Sequence, residues 1–108
     1  YRLTKRVSPD LVVALHTQGR VIYWRYLDLE PPGARRCGEA LAAASCYALE
    51  DTPYASGYAG YKDWFILEYD RPGYTVECGE GENPLPYSDF DIIYPDVRAL
   101  LAQAVLGC

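Results

Sequence analysis

Gly73-Tyr74-Thr75-Val76-Glu77-Cys78-Gly79-Glu80-Gly81-Glu82-Asn83-Pro84-Leu85-Pro86 is the stretch on which the fold turns. Its first part is a strand. Tyr74, Thr75 and Val76 favour extended backbone, and the pair Pro72-Gly73 ahead of them makes a turn. Its second part excludes regular structure, because Gly79, Gly81, Asn83, Pro84 and Pro86 interrupt helix and ladder alike. Glu77 therefore stands among the last residues of a short apolar strand. In open α/β sheets ligands bind outside the carboxyl ends of the strands. A carboxylate placed there faces a cleft and works as a general base, with its pKa set by partial burial. On position alone, the plainer reading is a solvated residue at a strand end.

Upstream, Leu11-Val12-Val13-Ala14-Leu15 is a continuous apolar run without alternation, the pattern of a strand covered on both faces. His16, the one histidine of the chain, follows it directly. A lone histidine is more often structural than functional, but this one shares the strand-end position of Glu77. Val21 to Trp24 reads as a second short strand. Ala34 to Leu49, rich in Ala, Leu, Glu and Arg, reads as a helix with Leu41, Ala44, Ser45 and Ala48 along one stripe. Tyr54 to Tyr61 is a loop of Gly and Tyr. Lys62 to Tyr69 reads as a short helix, and a last helix follows Ser88-Asp89-Phe90, with Pro95 expected in its first turn and Gly107 at its end. Buried strands alternating with helices give an α/β fold.

The chain has 108 residues, enough for one small domain. Its net charge is −5 and its basic residues are scattered, so no nucleic-acid footprint is present. No apolar run approaches the roughly 18 residues of a membrane span. Methionine is absent altogether, and the chain reads as a piece of a longer polypeptide. Cys37, Cys46, Cys78 and Cys108 show no CxxC spacing. On one helix, Cys37 and Cys46 would lie too far apart to bridge. Free thiols are the expectation, which favours a reducing compartment or an anaerobic source.

Four segments taken together resemble the carboxypeptidase A-like zinc peptidases: Ala14-Leu15-His16-Thr17-Gln18-Gly19, Tyr61-Lys62-Asp63-Trp64-Phe65, Pro72 to Glu77, and Gly81 to Pro86. The nearest likeness is to the bacterial gamma-D-glutamyl-L-diamino acid endopeptidases, which cut peptidoglycan peptides next to diaminopimelate. The resemblance covers nearly the whole chain in the family's order. It implies part of a three-layer αβα sandwich with a mixed sheet. It also implies that His16 is the third zinc ligand and that Glu77 activates the zinc-bound water. Tyr54 is the best match to the mobile tyrosine that contacts the substrate terminus, with Tyr58 and Tyr61 as alternatives. Lys62, before the Asp-Trp pair, would line the specificity pocket and offer a cation to a substrate carboxylate; the alternative is a solvated surface lysine.

The chain departs from the family in one respect. The first two ligands of the family come from a His-x-x-Glu motif upstream of the strand ending in the third, and this sequence has none. Residues 1–108 thus read as the C-terminal portion of a catalytic domain. The parent would be a zinc peptidase on cell-wall peptides, bacterial and either cytoplasmic or cell-wall associated. The isolated portion is expected to be inactive, to lack zinc and to self-associate through its uncovered sheet. The alternative is a non-catalytic module of the same fold that binds peptides or partners. The resemblance further implies that His16 and Glu77 lie at one edge of one sheet, with side chains within roughly 10 Å.

Overall fold

The computed structural model describes residues 1–51 and 60–108. Its elements are α1 (Arg2–Val7), β1 (Val12–His16), β2 (Val21–Tyr23), α2 (Ala34–Ser45), β3 (Ala48–Glu50), α3 (Tyr61–Tyr69), β4 (Gly73–Glu77), a 3-10 turn (Tyr87–Asp89) and α4 (Phe90–Gly107). The fold is α/β. The four strands form one mixed sheet in the order β1-β4-β2-β3. β4 runs parallel to β1 and antiparallel to β2, and β3 runs parallel to β2.

The alternation of β4 divides the sheet into two unlike faces. Tyr74 and Val76 point to one face and are fully buried among Ala34, Cys37 and Leu41 of α2 and Val97 and Leu100 of α4. The Tyr74 hydroxyl donates to the Ala34 carbonyl at 2.8 Å, so the one polar atom of that side chain is satisfied. α2 lies close on this face: a Cβ at Gly38 would come within 2.9 Å of a Leu49 methyl. Gly73, Thr75 and Glu77 point the other way. There α3 covers only the start of β4, with Lys62 and Ile66 against Gly73.

Several expectations need correction. β1 is not covered on both faces. Among the described residues it is an edge strand paired with β4, as expected of a portion with an uncovered sheet, and burial runs out along it from Val12 to exposed Leu15 and His16. The helix predicted to reach Leu49 ends at Ser45. The Ser45 hydroxyl donates to the Leu41 carbonyl and accepts from the Tyr47 amide, and Cys46 turns left-handed at φ 62°. Ala48–Glu50 then pairs with β2, a strand that its composition hides. Pro95 lies inside α4 rather than in its first turn, because the helix already begins at Phe90. The free-thiol expectation fails for two of four cysteines. Cys37 on α2 is bonded to Cys108 just beyond α4, with Cα atoms 4.8 Å apart, whereas Cys46 and Cys78 are free. A pair 71 residues apart is brought together only by the packing of α2 on α4. Among the described residues no helix is long and apolar enough to cross a membrane.

Candidate active site

The parallel register of β1 and β4 makes Val12 and Gly73, Ala14 and Thr75, and finally His16 and Glu77 neighbours. Registered partners share a face and sit about 4.8 Å apart between strands. The histidine and the glutamate are thus adjacent at the carboxyl ends of two parallel strands, on the face that α2 and α4 leave open. His16 is exposed and Glu77 half-buried. Burial pushes the Glu77 carboxyl above its ordinary value, and the nearby His16 opposes that shift. A carboxyl held this way suits proton transfer near neutral pH better than a freely solvated one.

Loop chemistry holds the pair together. The Cys78 amide donates to the His16 carbonyl at 2.7 Å, and the Gly19 and Arg20 amides both donate to the Gly79 carbonyl, at 2.7 and 3.1 Å. The Gly79 amide donates in turn to the Tyr47 hydroxyl at 3.3 Å. Gly79 has φ 72°, and a Cβ on it would collide with Ile93 at 2.7 Å, so no other residue fits this bend without displacement. The Arg20 guanidinium lies 4.8 Å over the Tyr47 ring and pairs with Asp96 at 3.1 Å.

Beyond the pair, the open face carries Thr75, Tyr23 and Glu50 in one row, as β4, β2 and β3 register them. Burial first, then Glu50 and Glu77, raise the Tyr23 phenol. Nothing local in the sequence signals Glu50, because the composition around it reads as helix, and Tyr23 is marked there only as a strand residue.

Lys62 is neither solvated nor beside Glu77. It is 2% exposed, and its Nζ donates to the Arg25 carbonyl and to the Asp63 carboxylate. Burial lowers its pKa, against the stabilising carboxylate of Asp63. It lies on the same sheet face as Glu77 but at the Gly73 end of β4, four residues or roughly 13 Å away. Tyr54 and Tyr58 lie outside the described residues. Tyr61 is described; it begins α3, where its hydroxyl is 2.6 Å from the Thr4 hydroxyl.

A catalytic zinc takes three protein ligands and leaves one position for water. Among the described residues no three His, Cys, Asp or Glu side chains are grouped to hold a metal. His16 fits as one nitrogen ligand with a carboxylate beside it. These residues do not make a zinc site by themselves, and further ligands would have to come from elsewhere.

No family model matches the chain. It is similar to gamma-D-glutamyl-L-diamino acid endopeptidase 1 of Lysinibacillus sphaericus, at 54% identity over 98 residues, which are 91% of this chain and 24% of that protein. It is also similar to the uncharacterized protein YqgT of Bacillus subtilis strain 168, at 41% identity over 105 residues, or 97% of this chain and 28% of that protein. The chain spans about a quarter of the length of the curated relatives it matches. Over nearly its whole length it is thus similar to one part of a protein named as a gamma-D-glutamyl-L-diamino acid endopeptidase.

Proposed function

We propose that this chain is the C-terminal portion of the catalytic domain of a zinc-dependent, carboxypeptidase-like endopeptidase. The domain is a three-layer αβα sandwich, and it hydrolyses the bond between gamma-D-glutamate and diaminopimelate in peptidoglycan peptides. The observation that carries this reading is the register pairing of His16 with Glu77 at adjacent strand ends. The likeness to a named endopeptidase over 91% of the chain supports it.

In this reading His16 is one of three protein ligands, and the rest of the polypeptide supplies the other two. Zinc, when bound, supplies Lewis acidity to the scissile carbonyl and to water. The Glu77 carboxylate takes the proton of the attacking water on one oxygen and delivers it to the leaving amine. Its partial burial raises its proton affinity, which favours taking the proton from water. Tyr54 contacts the substrate terminus. Lys62 reads a substrate carboxylate once its buried ammonium is released from Asp63.

Metal content tests the reading directly. The full-length protein is expected to bind one zinc per chain and to hydrolyse a gamma-D-glutamyl-diaminopimelate peptide. His16→Ala should lower zinc affinity by at least about tenfold and abolish hydrolysis while circular dichroism stays unchanged. An equally tight site in that variant, seen by calorimetry, removes His16 as a ligand.

Lys62 is tested by a ratio. Lys62→Met leaves the Asp63 carboxylate buried without its ammonium partner, and breaking a buried pair costs about 3–5 kcal/mol. Both substrates lose the folded fraction equally. Selective loss on diaminopimelate peptides relative to lysine peptides, which lack that carboxylate, is the expected result. Equal loss on both makes Lys62 a structural ion-pair residue.

A further inference from the structure

Side-chain contacts fasten the loops that leave β1 and β4, among them the Tyr47 hydroxyl beneath Gly79 and the ion pair of Arg20 with Glu80 at 3.5 Å. A further one is Asn83, whose amide uses both its ends on a single residue. Its Nδ2 donates to the Thr17 carbonyl at 3.1 Å, and its Oδ1 accepts from the Thr17 hydroxyl at 2.7 Å. Thr17 directly follows His16, and Asn83 is 66 residues away in sequence, on the loop that follows Glu77. The two-point contact fixes the orientation of the Thr17 peptide as well as its distance. Both residues are exposed. Hydrogen bonds open to water add only about 0.5–1.5 kcal/mol each to stability, so global stability does not explain this geometry well. It acts instead on Thr17, the residue that directly follows His16.

We infer that Asn83 is a positioning residue of the site. By clamping Thr17 to the loop that follows Glu77, it holds the two chains together just beyond His16 and Glu77, the last registered pair of the β1–β4 ladder. Groups that orient a metal ligand or a base without touching substrate typically change affinity or activity by about 10–100-fold when removed. The inference rests on the function proposed above, and its test separates the two.

In the full-length protein, Asn83→Ala is expected to lower kcat by about 10–100-fold with KM within about twofold, and to weaken zinc binding in the same range. Amide hydrogen exchange at Gly19 and Arg20, read by mass spectrometry, should quicken by about tenfold or more, while the melting temperature stays close to wild type. If kcat and zinc affinity stay within about twofold of wild type, or if the variant loses activity only by unfolding, Asn83 does not position the site. If the wild-type protein hydrolyses no peptide and binds no zinc, the proposed function fails. The exchange rates then decide the clamp alone: unchanged protection at Gly19 and Arg20 refutes it.

Discussion

Replacing Glu77 by Gln in the full-length protein is expected, under the proposed function, to lower the rate of peptide hydrolysis by about 10²–10⁴-fold, the range that a positioned general base contributes. Gln keeps the volume and the hydrogen-bonding shape of the side chain but cannot take a proton from water. The loss should fall on kcat, with KM little changed, because the group works in the transition state rather than in ground-state binding. Folding should not suffer. The Glu77 carboxyl is raised in the folded protein, chiefly by burial. Folding therefore disfavours its ionised form, and the protein loses stability as pH rises from the unfolded-state value through the folded one. A neutral Gln escapes that cost, so at neutral pH the variant should melt no lower than wild type. A Glu77→Gln variant retaining a tenth or more of wild-type turnover would remove Glu77 as the base.

Reduction of the Cys37–Cys108 disulfide is expected to lower the free energy of unfolding by about 4 kcal/mol. The bond closes a loop across 71 residues of sequence, and loop-closure entropy for that length gives roughly this value. It also ties the end of α4 to α2, the helix pair that covers Tyr74 and Val76. Cys37→Ser with Cys108→Ser in one protein should reproduce the loss in urea denaturation, and added reductant should then have no further effect. The linked peptide should appear in a non-reducing digest, with Cys46 and Cys78 unlinked. A denaturation midpoint insensitive to reductant, or a digest without the linked peptide, contradicts the bond.

The local parts of this fold are legible in the chain, and little of what depends on distant partners is. β4 is legible because β-formers sit between a turn pair and a run of breakers. His16 and Glu77 are legible because each ends an apolar strand, and their pairing follows once those strands are parallel neighbours. β3 is not legible. Its three residues are Ala, Leu and Glu, which favour helix, and only the ladder to β2 makes them a strand. The disulfide is invisible for the same reason, since nothing local to Cys37 or Cys108 indicates the other. Lys62 shows the limit of reading charge as exposure. Its neighbour Asp63 is in plain view, but the Arg25 carbonyl that completes its burial lies 37 residues away. Asn83 stands in a motif without a visible role, because its partner Thr17 lies in a loop on another strand.

The position of β4 bears on how the molecule is made. β1 and β2 follow one another in the chain yet do not pair; the strand between them is the last of the four to be synthesised. Until the ribosome has released residues 73–77, β1 lacks the one strand it pairs with among the described residues, and the histidine at its end has no glutamate beside it. The pair of His16 and Glu77 therefore comes into being in one late event, with the insertion of a central strand. A nascent or prematurely terminated chain ending before Gly73 lacks the glutamate that stands beside His16. Under the proposed function, cell-wall cutting is then confined to molecules whose translation has passed that point.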